Sequence, residues 1–241
     1  MNVWGLIPAR GGSKSIPLKN LVPLNGRPLI DYGAKAALAS GRLERIVCST
    51  DHDEIAQRAI QLGLEVDRRP DALADDHAKV DNVAQDFIRR SQNDGYALPD
   101  AIVLIQPTSP FLLPQHVIDL IDLLERSPWA QSAHNICPVA HNTHAWNQRT
   151  VDERGEVSFL FRDERQSARN KQEKPKLQVF GNLIAVKTTA LLSGGGFYAE
   201  PCVACQIKRP YEFDLDEPLD LVLAHALMNA GAVELPHMKS E

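Results

Sequence analysis

The stretch Leu6-Ile7-Pro8-Ala9-Arg10-Gly11-Gly12-Ser13-Lys14-Ser15-Ile16-Pro17-Leu18-Lys19-Asn20 follows an apolar opening, Val3 to Ile7, that carries no charge and is stopped by Pro8. A short continuous apolar run ended by proline reads as a buried strand feeding a loop. The adjacent Gly11 and Gly12 permit positive φ and inward-turned N–H groups, and Arg10, Lys14 and Lys19 set positive charge around the concavity so formed. Such a loop suits a polyphosphate, although its composition alone also allows a glycine-rich surface turn with solvated lysines. It is not a P-loop, because Ser13 separates Gly12 from Lys14. Nor is it a dinucleotide fingerprint, because its glycines are adjacent instead of spaced.

Downstream, strands and helices alternate. Leu29 to Ser40 has helical patterning closed by Gly41, and Arg45 to Ser49 reads as a short strand. A helix from Glu54 to Leu62 is expected next, capped by Asp51 or Asp53 and stopped by Gly63. Leu64 to Asp67 reads as a third strand, Arg69 to His77 as a polar loop, and about Lys79 to Ser91 as a helix. Ala101 to Ile105 is uniformly apolar, as a central parallel strand would be, and Pro114 to Arg126 places Val117, Ile118, Ile121 and Leu124 on one helical face. From about Val139 the rhythm breaks, with a strand expected over Glu156 to Phe161 and a basic run from Arg162 to Lys176, before Leu177 to Val186 and Cys202 to Ile207 resume the strands. A last helix begins at Pro218. The expected architecture is one α/β domain over residues 1–241, with a doubly wound, mostly parallel sheet and an insertion at about 139–176. Ligands of such sheets lie beyond the carboxyl ends of the strands, where the Arg10 loop and Gln106-Pro107-Thr108-Ser109-Pro110 both fall.

A net charge of −5 argues against a general nucleic-acid or membrane-surface binder and directs attention to local clusters of positive charge. No leader-like amino terminus or membrane-length apolar run is evident, so a cytoplasmic location is expected. The spacing of Cys202 and Cys205 resembles half of a zinc or redox site but lacks a second pair. His134, His141 and His144 likewise lack acidic or cysteine partners at ligand spacing. Asp214 and Asp216 flank Leu215, so in an extended segment both carboxylates face one way and Leu215 the other. That arrangement suits Mg²⁺; the spacing also fits an Asp216 helix cap beside a solvated Asp214.

The run Ile7-Pro8-Ala9-Arg10-Gly11-Gly12-Ser13-Lys14, continuing to Pro17-Leu18-Lys19-Asn20, resembles the acylneuraminate cytidylyltransferases, which make CMP-activated nonulosonic acids. The resemblance implies a Mg²⁺-dependent nucleotidyltransferase joining CTP to an acidic nonulosonate sugar like sialic acid, and a homodimer. It implies phosphate neutralisation by Arg10 and Lys19, metal ligation by Asp214 and Asp216, and nucleotide contacts from Pro8, Ala9, Gly11, Gly12, Ser13, Asn20 and Lys79. Gln106, Thr108, Ser109, Arg165, Arg169 and Gln172 are the expected acceptor contacts. The sequence departs from the family pattern at His77, Lys79 and Asp81, at Phe111-Leu112-Leu113, and at Phe180-Gly181-Asn182. The rival readings are the same chemistry with another nucleotide such as GTP or with a phosphonate acceptor, and a catalytically silent nucleotide binder.

Overall fold

The opening apolar run forms β1 (Val3–Pro8), buried from Val3 to Ile7. A tight hairpin of β2 (Pro23–Leu24) and β3 (Arg27–Pro28) follows, turning through Asn25 and Gly26, both at positive φ as a two-residue hairpin requires. Then come α1 (Leu29–Ser40), β4 (Arg45–Thr50), α2 (Asp53–Gln61), β5 (Glu65–Arg68), α3 (Val80–Asn93), β6 (Ala101–Ile105) and α4 (Pro114–Arg126). Next are β7 (Ser132–Pro138), a small hairpin of β8 (Arg149–Val151) and β9 (Val157–Phe159), and a short α5 (Arg162–Ser167). The chain then returns through β10 (Gln178–Lys187), a single turn α6 (Thr188–Ala190), β11 (Cys202–Gln206) and α7 (Pro218–Asn229). The computed structural model describes residues 1–74, 78–167 and 171–239. Among these, no helix is long and apolar enough to cross a membrane.

Seven strands make one sheet in the order β11-β7-β10-β6-β1-β4-β5. β1 pairs in parallel with β4 and β6, β4 with β5, and β7 with β11; β10 runs antiparallel to both its neighbours. The chain steps outward from β1 through β4 to β5, then crosses back to β6 on the other side of β1. The carboxyl ends of β1 and β6 therefore diverge at a topological switch point, where open α/β sheets form a crevice. One face of the sheet packs Ile7, Val103 and Ile105 with Ala34, Ile55 and Val117, and the other packs Trp4, Leu6 and Leu104 with Phe87 and Ile88. On α4 the buried apolar face is Val117, Leu120, Ile121 and Leu124, with Leu120 in place of the expected Ile118, which is only half-buried.

Two features differ from the sequence expectation. β7 was hidden by its polar residues His134 and Asn135, whose placement inside the sheet depends on partners elsewhere in the chain: Asn135 Nδ2 donates to Asn182 Oδ1 at 3.0 Å. At α2, neither Asp51 nor Asp53 is the cap. His52 occupies that position without a side-chain cap bond, and Asp51 turns to another partner.

Asn182 is fully buried and also donates to the Tyr211 carbonyl at 2.8 Å and to His116 Nδ1 at 3.1 Å. The Leu113 N–H meets the same nitrogen at 3.3 Å, so Nδ1 is an acceptor and the ring is neutral. Burial pushes the His116 pKa down to about 4. A depressed folded-state value means stability that is complete above the unfolded value near 6.5 and lost as pH falls towards 4, about 3 kcal/mol for a shift of this size. Urea titrations at pH 7 and pH 4.5 are expected to show that His116→Gln, which retains an acceptor but does not titrate, loses less stability on acidification than the parent protein.

Candidate active site

A cavity of about 560 Å³ opens at the switch point, lined by Pro8, Arg10, Ser13, Lys14, Ser15, Lys19 and Asn20 on one side and Gln106, Pro107 and Thr108 on the other. Arg69, Ala78, Val80 and Val83 complete its lining. Its volume lies in the range of small-molecule and cofactor sites. Four cationic side chains, Arg10, Lys14, Lys19 and Arg69, thus share one concavity in a chain whose net charge is −5.

The loop after β1 is shaped by packing, not by left-handed glycines: neither Gly11 nor Gly12 has positive φ, contrary to the expectation from their pairing. Gly11 is needed for close approach, since a Cβ there would lie 2.7 Å from the His52 ring. At Gly12 an added Cβ would meet nothing within 4 Å. The Gly11 N–H does not turn into the cavity; it donates to Asp51 Oδ1 at 2.9 Å. Asn20, itself buried, donates from Nδ2 to the Arg10 carbonyl at 2.9 Å and holds the far side of the loop. Leu18 adopts a left-handed conformation (φ 48°) just before the 3₁₀ turn Lys19–Leu21, a strained geometry at the point where Lys19 is aimed.

Lys19 Nζ donates to the Leu215 carbonyl and to Asp216 Oδ1, both at 3.0 Å, and Ser15 Oγ donates to the Asp216 carbonyl at 2.5 Å. The expected alternation around Leu215 is present: Leu215 is fully buried, with its N–H on the Thr108 carbonyl at 2.8 Å, while Asp214 and Asp216 are exposed. Asp216 is not the cap of α7. Glu217 is, and Asp220 reaches back to the Asp216 and Glu217 amides at 2.9 and 2.8 Å. Although Asp214 meets solvent, the protein around it raises its carboxyl pKa, chiefly by burial; a Thr108 hydrogen bond lowers it and the Asp216 charge raises it. Among the described residues no group of three or more His, Cys, Asp or Glu is arranged to hold a metal. The donor set here is two hard carboxylates beside a polyphosphate-sized, cation-lined cavity. This fits a magnesium ion that keeps much of its water and takes further oxygens from a phosphate ligand.

The remaining expected site residues are dispersed. Ala9 is fully buried behind the loop, and Ser109 is buried, its N–H closing a turn onto the Gln106 carbonyl at 3.1 Å. Lys79 is exposed and outside the cavity lining, to which its neighbours Ala78 and Val80 contribute. Arg169 lies outside the described residues. Arg165 sits with its guanidinium 5.6 Å from the Phe159 ring, and Gln172 lines a separate cavity of about 920 Å³ with His144, Lys174, Lys176 and Arg209. His144 has a structural place, meeting the Pro175 carbonyl through Nε2 at 3.0 Å and the Trp146 N–H through Nδ1 at 3.1 Å. Arg69 is the cavity residue that sequence reasoning missed. It is only 8% exposed, it donates from Nη2 to the Ser49 carbonyl at 2.9 Å, and its buried Nε has no hydrogen-bond partner among the described residues. Its position just past β5, at the carboxyl edge of the sheet, was the available signal.

Comparison with known proteins agrees with this arrangement. Residues 4–180 match the family described as cytidylyltransferase. The chain is 31% identical to CMP-N,N'-diacetyllegionaminic acid synthase of Legionella pneumophila over 232 residues, covering 95% of this chain and 97% of that protein. It is 27% identical to the N-acylneuraminate cytidylyltransferase of Escherichia coli over 222 residues, 92% of this chain and 51% of that longer protein. The fold superposes with a TM-score of 0.72 on CMP:2-keto-3-deoxy-manno-octonic acid synthetase complexed with CTP, covering 96% of this chain and all of that one at 17% identity. The chain belongs to the cytidylyltransferase family of enzymes.

The contrast between the two loop glycines gives a direct test. Gly11→Ala is expected to destabilise the fold by about 1–3 kcal/mol through the His52 clash, whereas Gly12→Ala stays within about 0.5 kcal/mol, as measured by thermal melts.

Proposed function

We propose that the enzyme transfers CMP from CTP to the anomeric hydroxyl of an acidic nonulosonate sugar and releases pyrophosphate. The observation that carries this reading is the switch-point cavity, lined by the cations Arg10, Lys14, Lys19 and Arg69, of which Lys19 also reaches the Asp216 carboxylate. The near-complete coverage of the Legionella relative supports the acceptor class. Arg10 and Arg69 neutralise phosphate oxygens, Arg by a planar fork and Lys19 as a point charge, so that negative charge accumulating on the departing pyrophosphate is met by fixed positive charge. Asp214 and Asp216 hold Mg²⁺, which when bound polarises the phosphoryl oxygens.

Gln106 and Thr108, on the opposite wall, orient the acceptor so that its hydroxyl oxygen lies in line with the α-phosphorus. A bond forms between that oxygen and the α-phosphorus while the bond to the β-phosphate bridging oxygen breaks, and the hydroxyl proton passes to water. The Lys19–Asp216 pair keeps the cation site and the phosphate site in one register before either ligand binds.

Because the acceptor's carboxylate is borne on the same carbon as the reacting hydroxyl, the separate cavity lined by Lys174, Lys176, Arg209 and Gln172 meets it where a partner subunit brings that cavity to the switch point. The chain between β7 and β10 exposes Val151 (66%), Val157 (57%) and Leu160 (55%) on and beside the β8–β9 hairpin, an apolar surface that a homodimer would cover.

Pyrophosphate release in the presence of Mg²⁺, with each of the four nucleoside triphosphates against a panel of nonulosonic acids and small phosphonates, tests the reading. CTP with a sugar acid is the expected productive pair; release only with GTP or only with a phosphonate refutes it. Asp214→Asn and Asp216→Asn are each expected to lower kcat by about a hundredfold or more at saturating Mg²⁺ without changing the melting temperature by more than a few degrees. In light scattering, Val157→Asp is expected to shift the protein from dimer towards monomer.

A further inference from the structure

The loop that carries Arg10 is laid directly onto the end of β4. Ala9 N–H donates to the Ser49 carbonyl at 3.0 Å, Gly11 N–H donates to Asp51 Oδ1 at 2.9 Å, and Gly11 packs against His52 with no room for a methyl group. The same four-residue segment holds Arg69: its backbone N–H donates to the Thr50 carbonyl at 3.1 Å and its Nη2 to the Ser49 carbonyl at 2.9 Å. Those contacts on Arg69 are to neutral carbonyls, yet the residue is only 8% exposed and desolvation disfavours its charge. Of the carboxylates that oppose this effect, Asp51 acts most strongly and Asp67 next. Asp67 is committed elsewhere, accepting from Ser49 Oγ at 2.8 Å and from Arg90 Nη1 at 2.6 Å. Asp51 is thus the one carboxylate here that both fixes an amide of the loop and supports the buried cation. It is not among the residues that line the cavity, and it does not cap α2.

We propose that Asp51 is a positioning residue for the nucleotide: it pins the phosphate-side loop, through the Gly11 N–H, onto the strand end whose Ser49 and Thr50 carbonyls hold Arg69, so that Arg10 and Arg69 are set relative to each other before the nucleotide arrives. This rests on the reading of the cavity as the nucleotide site. Asp51 makes no contact with the ligand in this role and acts through the loop that it fixes.

Titration calorimetry of the full chain with CTP and Mg²⁺ tests it. Asp51→Ala is expected to raise the Kd for CTP about tenfold, the scale of losing a hydrogen bond to a charged group. Asp51→Asn, which keeps the acceptor oxygen for Gly11, should recover most of that loss, and the KM for the acceptor should stay within about twofold in both variants. Asp53→Ala is the control: Asp53 lies in the first turn of α2 and pairs with Arg68 at 2.8 Å, so a general helix-end effect would weaken binding there too, whereas the proposal expects no change. A Kd within twofold of the parent for Asp51→Ala, an Asp51→Asn variant as weak as Asp51→Ala, or an equal loss in Asp53→Ala overturns the proposal. Because the readout is binding, parent protein that binds CTP but releases no pyrophosphate refutes the proposed reaction and leaves the Asp51 comparison decisive. Parent protein that binds no nucleoside triphosphate overturns both.

Discussion

One ammonium group joins two distant parts of the chain at the candidate active site. Lys19 reaches across to the Leu215 carbonyl and the Asp216 carboxylate, 196 and 197 positions along the chain, and so ties the Asp214–Asp216 segment to the loop after β1. The contact is partly shielded, since the Lys19 side chain is 13% exposed while Asp216 is 68% exposed. The lysine end is therefore ordered by protein, and the carboxylate end stays open to a ligand. Leu215 supplies the second constraint. Its burial with Leu29, Tyr32 and Phe111 fixes the extended segment from beneath, so that two like-charged carboxylates are held outward, Asp214 hydrogen-bonded by Thr108 and Asp216 by Lys19.

The parts of the fold that sequence made legible are those governed by local patterning. Ala101–Ile105 announces a central strand because nothing in it is polar, and α1 ends where Gly41 takes a left-handed conformation. The Leu215 alternation could be read because period-two geometry needs no information beyond the segment itself. Strand β7 could not, because the burial of Asn135 depends on Asn182, 47 positions away. In sequence Asp51 reads only as a helix cap and Arg69 only as the start of a polar loop, for a related reason. An arginine next to Arg68 and an aspartate before a helix look like surface charges until the loop after β1 is folded over them. The glycine pair was legible in position but not in cause: the loop needs Gly11 for the space beside His52, not for its φ.

Burial and charge are divided between the two walls of the cavity. On the phosphate side, buried or half-buried residues such as Asn20 and Arg69 are held by main-chain carbonyls, which fix direction without cancelling charge. Opposite them, Gln106 and Thr108 offer neutral hydrogen-bonding groups, and Ala78, Val80 and Val83 offer apolar surface. A site so partitioned presents strong electrostatic attraction in one region and shape-dependent selection in another, which is how a bound anion can be gripped tightly without losing discrimination over its non-ionic portion.

The antiparallel strand β10 has a consequence for how the protein is made. It fills the place between β6 and β7 only after the long excursion through β8, β9 and α5, so during synthesis two strands of the sheet lack a neighbour until residue 187 has been added. The Lys19–Asp216 contact closes later still. A nascent chain can form the local β1 to β5 half early, through short-range contacts, but the Asp214–Asp216 pair meets Lys19 only once nearly all of the described chain is in place. Assembly of the acidic pair is in this way reserved for chains that have already built the rest of the sheet.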